Sequence, residues 1–195
     1  MGERAFFTPV VPPHSIRWYG PGEECTDPLN GDILLVDHGT FASTIIEDLE
    51  KVITLRSPEL RGYTWCGHSA NIRVDDGTAP VVSEMGFKGL ERRPLANYAH
   101  RLYAVVSFTE ATPEQRLAFS QFDDAMSGLD YGWFEYLPIA VDDALGTNVA
   151  GSIGDHLICS ARTMLCAAPL GFMGDRLAVR TEPARIAYWL GAQHA

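Results

Sequence analysis

The sequence predicts an α+β domain in which helices pack on an antiparallel sheet. Three observations carry that expectation. A short continuous apolar run follows a turn signal at Gly31-Asp-Ile-Leu-Leu-Val. A clean two-residue alternation runs from Cys66 to Val74. Taken in order, the elements read as one strand, a helix, a strand meander and then helices.

Residues 1–30 are rich in Pro and Gly, as in Thr8-Pro-Val-Val-Pro-Pro and Gly20-Pro-Gly. They are expected to form an irregular arm laid over the domain, open to a protein partner. A single folded domain is then expected over 31–195. The run from Gly31 to Val36 reads as a buried strand. Phe41, Ile45, Ile46, Leu49 and Ile53 recur at helical spacing, which predicts a helix over 40–55.

Along Cys66 to Val74, His68, Ala70, Ile72 and Val74 share one face, and Ser69, Asn71 and Arg73 the other. Pro80 to Glu84 reads as the next strand. Leu90 to Tyr98 reads as a turn of helix, and Leu102 to Phe108 as a further strand. Thr112-Pro-Glu-Gln is a capping box with Pro at the first helical position, so a helix is expected to run to about Met126. Another helix starts near Cys159 and ends at Pro169. The last opens near Glu182-Pro-Ala-Arg.

A chain of 195 residues with 46% hydrophobic and 21% charged residues buries a core without staples. The net charge of −10 argues against a nucleic-acid partner, which needs a basic footprint. Cys25, Cys66, Cys159 and Cys166 show no paired spacing and read as free thiols in a reducing compartment. The N-terminus lacks the apolar core of a signal peptide, and no apolar run approaches membrane-spanning length. A cytoplasmic location is expected, with delivery across a membrane by a partner as the alternative.

Chemistry gathers at three residues. Cys159 stands where a loop turns into a helix, and free backbone N–H groups and the helix dipole favour a thiolate there. The competing reading is a small buried core residue. A three-residue loop of Asp75, Asp76 and Gly77 sets Val74 opposite Thr78 and His68 opposite Glu84. Directly opposed side chains have Cβ atoms about 4.5–5.5 Å apart, close enough for an imidazole–carboxylate hydrogen bond. A two-residue Asp76-Gly77 turn is the alternative, and it moves Ser83 onto the His68 face. Cys159 as nucleophile, His68 as base and Glu84 as its orienting group complete an acyl-transfer set. Backbone N–H groups at the helix start are placed to meet an oxyanion.

The order Gly31-Asp-Ile-Leu, Gly67-His-Ser-Ala, Val81-Val-Ser-Glu-Met-Gly and Ile158-Cys-Ser resembles the circularly permuted papain-like group of the NlpC superfamily. The YiiX-like and lecithin retinol acyltransferase-like proteins belong to that group. The resemblance spans roughly residues 31–190. It implies a permuted papain-like fold and a thiol hydrolase with Cys159, His68 and Glu84 as its triad. It also implies amide, peptide or cell-wall peptide substrates, or acyl bonds in lipids or thioesters, and no metal or organic cofactor. Tyr131, in Leu129-Asp-Tyr-Gly, is implied as a substrate-side or oxyanion-side group.

Other readings compete. Cys66 and His68 fall on one strand face by alternation and form a rival dyad, although that thiol lacks a helix N-terminus. A zinc site through Cys66 and His68 lacks the usual ligand spacings. A non-catalytic binding module that keeps the fold is the alternative of a different class, with the Pro-rich arm and the aromatic C-terminal helix as docking surfaces. Cys166 reads as core, His38 as a turn residue, and Trp65 and Trp133 as packing anchors or cleft walls.

Overall fold

A computed structural model of the protein describes residues 9–37, 57–75, 77–86, 89–126, 130–131, 156–157, 159–174 and 181–194. Among these, six strands form one antiparallel sheet: β1 (His14–Tyr19), β2 (Ile33–Asp37), β3 (Cys66–Arg73), β4 (Val81–Gly86), β5 (Gly89–Pro94) and β6 (Tyr103–Phe108). Their spatial order is β1-β6-β2-β3-β4-β5. A small parallel pair joins β7 (Asp130–Tyr131) to β8 (His156–Leu157). Three α-helices among the described residues come after the last strand of this sheet: α1 (Pro113–Ala125), α2 (Cys159–Ala167) and α3 (Pro183–Trp189). The α+β class holds.

β2 is apolar from Ile33 to Val36 because both of its faces are covered there. Ile33 and Leu35 face the helix side with Ala104, Val106, Phe119, Met164, Ile186 and Leu190. Leu34 and Val36 face the other side with Ala70, Ile72, Val82, Val105, Leu95 and Tyr98. Gly31 opens this strand at φ +90°, and a Cβ there would meet Leu170 Cδ1 at 2.8 Å. Glycine is therefore required on both backbone and steric grounds.

The capping box of α1 forms as expected. The Thr112 side chain accepts from Gln115 N at 3.3 Å, and Thr112 N donates to Gln115 Oε1 at 2.9 Å. The expected helix over 40–55 lies outside the described residues.

Three expectations need correction. Residues 14–19 are not an irregular arm. They form edge strand β1, paired with β6 from His14↔Phe108 to Tyr19↔Tyr103. The sheet therefore takes in residues from before position 31. Leu90 to Pro94 is strand rather than helix, and only Leu95–Tyr98 makes a 3₁₀ turn. Glu91, Arg92 and Arg93 carry no apolar alternation, so pairing with β4 decides their conformation. The hairpin register is also shifted by two residues. Asn71 pairs with Ser83, Ile72 with Val82 and Arg73 with Val81, which leaves a loop over 74–80. Gly77 still takes the positive φ expected of it, +72°, beside the Thr78 N to Asp75 O turn bond of 3.1 Å.

Helix α2 seats on a polar layer as well as on the apolar core. Ser69, Asn71 and Ser83 are fully buried beneath it, as is Arg162. The Arg162 guanidinium donates to Ser83 O and Ser83 Oγ, each at 2.7 Å, to Asn71 Oδ1 at 3.4 Å, and to Asp123. Asp123, from α1, also accepts from Ser83 Oγ at 2.8 Å and from Arg92 Nη2 at 2.9 Å. A buried cation left without its partner is strongly destabilising.

Asp123→Ala is expected to cost about 3–5 kcal/mol in urea unfolding, because it strands the Arg162 charge. Asp124→Ala removes a half-exposed carboxylate and is expected to cost less than about 1 kcal/mol. Equal losses at the two positions would contradict this account of the α2 seat.

Candidate active site

Each candidate residue comes from a different element. His68 lies on β3, just past an irregularity in its pairing with β2, where Val36 pairs with His68 and Asp37 with Cys66. One extra residue on β3 is a bulge, and a bulge re-aims the side chains beside it. Cys66 consequently joins the helix-side core, whereas Ala70 and Ile72 pack on the opposite face. The Cys66 thiol bonds to the His68 carbonyl oxygen at 3.4 Å. The expected shared face of Cys66 and His68 is therefore corrected, and Cys66 is a fully buried core residue.

Glu84 lies on β4. In the observed register Ala70, not His68, stands across from it, so His68 and Glu84 are diagonal neighbours. The shift is even, so both side chains keep the same face. Diagonal pairs lie about 7–8 Å apart, within reach of long side chains. His68 Nε2 and Glu84 Oε2 are 2.6 Å apart. The imidazole is 23% exposed and the carboxylate 7%.

Cys159 is the first residue of α2 and is buried. Its sulfur bonds to the His68 ring and accepts from the backbone N–H groups of Ser69 and Ser160. Because Glu84 occupies Nε2, the ring nitrogen left for the sulfur is Nδ1. One donor comes from the sheet and one from the helix start, so the sulfur is held where the two elements meet.

The electrostatics follow from these contacts. Burial pushes the Cys159 thiol up, but the His68 charge, its hydrogen bond and the two backbone donors outweigh it, and the net shift is down. Burial would lower His68, but the Cys159 thiolate and then Glu84 raise it to about 10. Burial would raise Glu84, but the bonds from His68 and Tyr98 and the charge of Arg93 bring it down. Burial, the Glu84 charge and the bond to Glu84 together push the Tyr98 hydroxyl up, so it stays protonated and donates.

The signs fix a pH window. His68, with a raised folded value, adds stability that is complete below about 6.5 and is lost as pH climbs through about 10. Cys159, with a depressed folded value, adds stability present above about 8.5 and lost as pH falls through that depressed value. The thiolate–imidazolium pair exists between the two folded values.

Tyr131 belongs to β7, which pairs with β8 two residues before Cys159 and lies against β4 and β5. Its side chain lies outside the described residues, as do His38 and Trp133. Cys166 packs in the core with its sulfur 3.8 Å from Met126 Sδ, and burial pushes its thiol up. Trp65 stacks on Trp18 at 4.8 Å and donates from Nε1 to Ala192 O at 2.9 Å, so it anchors the C-terminus. Among the described residues, no three His, Cys, Asp or Glu side chains are arranged to hold a metal. No helix among them is long and apolar enough to cross a membrane.

Sequence reasoning missed Tyr98 and Arg93, the two other groups on Glu84. Neither is visible without the register of β5.

These shifts predict selective thiol chemistry. Iodoacetamide is expected to alkylate Cys159 quickly well below the ordinary thiol value of about 8.5, and Cys166 only slowly. Peptide mapping across pH measures both, and His68→Ala is expected to remove the difference. Equal reactivity of Cys159 and Cys166 in the unmodified chain would contradict the charge pair.

No protein-family model matches this chain, and no curated protein matches it.

Proposed function

We propose that this protein is a thiol hydrolase that cleaves amide or peptide bonds through an acyl-enzyme. The observation that carries the reading is the arrangement of Cys159 at the start of α2 against His68, with Glu84 on the far ring nitrogen. The permuted papain-like fold is part of the same reading. The order of strand histidine, strand glutamate and helix-start cysteine supports it.

In the proposed reaction the Cys159 thiolate attacks the carbonyl carbon, and backbone N–H groups at the helix start meet the oxyanion. The tetrahedral intermediate collapses as the His68 imidazolium protonates the leaving amine, which gives the acyl-enzyme. A water then gives its proton to His68 and attacks the acyl carbon. The second tetrahedral intermediate expels the Cys159 thiolate, which restores the thiolate–imidazolium pair, and the acid product is released. Glu84 fixes the ring and steadies its positive form. This chemistry calls for no metal or organic cofactor.

The charge on His68 favours amides over thioesters. An amine cannot leave without a proton, and the His68 imidazolium of the resting pair brings one to the site. A thiolate leaving group has no such need. Peptides, including cell-wall peptides, are the favoured substrates. Lipid acyl bonds and thioesters are the alternatives that the resemblance implies.

An epoxysuccinyl peptide probe is expected to label the protein at Cys159 alone, as read by peptide mass spectrometry. His68→Ala is expected to slow that labelling by roughly 10²–10⁴-fold, and Cys159→Ala to abolish it. Hydrolysis of any amide turned over is expected to follow a bell in pH, with its upper limb near 10 as His68 loses its proton. Labelling that survives Cys159→Ala would remove the assignment.

A further inference from the structure

The strand beyond Glu84 places a second carboxylate directly against it. In the β4–β5 ladder Glu84 pairs with Glu91. Directly opposed residues of an antiparallel pair share a face, and like charges so placed repel. A glutamate meant to steady an imidazolium must stay ionised, and a carboxylate neighbour opposes that. Arg93 lies between them. It pairs with Val82, diagonal to Glu84 and on the same face. Its Nε is 3.0 Å from Glu91 Oε2 and 3.4 Å from Glu84 Oε1, and its Nη2 also bonds Glu91.

We propose that Arg93 is a positioning residue for the triad: with Glu91 it forms a charge clamp at the sheet edge that keeps Glu84 ionised and aimed at His68. The inference rests on the proposed reading of the site and adds to it a residue that does not touch the reacting atoms. Arg93 is 51% exposed and Glu84 only 7%. A surface arginine therefore acts on a buried carboxylate.

The other groups facing Glu84 do not replace it. Among the described residues these are His68 from β3, Tyr98 from the 3₁₀ turn and Arg162 from α2. Tyr98 gives a hydrogen bond but no charge. Arg162 is committed to Asp123, Ser83 and Asn71. His68 is the charge that Glu84 steadies, and its proton is surrendered in the proposed reaction. Arg93 is the cation that faces both glutamates.

The pH profile of Cys159 alkylation by iodoacetamide tests this, with thermal unfolding as the control for folding. Arg93→Gln is expected to move the midpoint of Cys159 reactivity up by roughly half a unit, the scale of one nearby charge acting through an intervening group. Adding Glu91→Gln is expected to recover at least half of that shift, because it removes the repulsion that Arg93 offsets. Arg93→Lys keeps the charge and is expected to retain most of the parent profile. A merely structural role predicts no rescue from a second substitution on the same strand. If Arg93→Gln folds poorly, the double variant carries the test, since it removes both charges together. An Arg93→Gln profile that overlays the parent, or a double variant shifted as far as the single one, overturns the clamp. A parent Cys159 without reactivity below the ordinary thiol range overturns the site reading itself, and the clamp with it.

Discussion

A cation buried one turn beyond the nucleophile sets how this protein is put together. Arg162 is fully buried between α2 and the sheet, and four groups from β3, β4 and α1 accept from its two terminal nitrogens. Apolar contacts tolerate small slides of a helix over a sheet. A guanidinium with fixed fork geometry does not. Its bonds to Ser83 on β4 and to Asp123 on α1 fix both the rotation and the height of α2. Three residues back along that helix stands Cys159. Seating the cation therefore also positions the sulfur at the end of β3, beside His68 and the Ser69 amide.

The site itself is a contest between burial and pairing. Burial opposes charge on Cys159, on His68 and on Glu84, and at each of the three it is the largest single influence. Pairing reverses it at each position, through two backbone donors and an imidazolium on the sulfur, and through a tyrosine and an arginine on the carboxylate. A chain of alternating charge runs from the sulfur through the ring to Glu84 and on to Arg93. Each member is held in its charged form by the next. Removing one exposes its neighbour to the uncompensated cost of burial. Acyl-transfer chemistry of the proposed kind requires such poise, because the ring must hold a proton that it later surrenders.

Much of this was legible in the sequence, and the gaps have physical causes. The alternation of Cys66 to Val74 and the run before Val36 mark central strands because two covered faces leave a strong imprint. Edge strands leave little. β1 sits between prolines and glycines, and β5 is mostly charged. Both form because β6 and β4 offer them an open edge. The pairing of His68 with Glu84 was reached through the wrong register. The loop is longer than the turn chemistry implied, yet a shift of two preserves the face. A shift of one would have separated the two side chains. The bulge that turns Cys66 away from His68 has no periodic signature at all. Ser69 and Asn71 read as an ordinary polar face. Both are buried, Asn71 because the chain places Arg162 against it 91 residues later, a pairing that no local pattern reveals.

The protonation state of His68 tests the central claim most directly. Imidazole ¹⁵N shifts of histidine-labelled protein report it, with His68→Gln to assign the resonance. At pH 8 an unperturbed histidine is almost wholly neutral. The account predicts that His68 is doubly protonated there, titrates near 10, and becomes largely neutral at pH 8 in Cys159→Ala, where Glu84 alone remains to raise it. A neutral His68 ring at pH 8 in the unmodified protein would contradict the thiolate–imidazolium pair and the chemistry built on it.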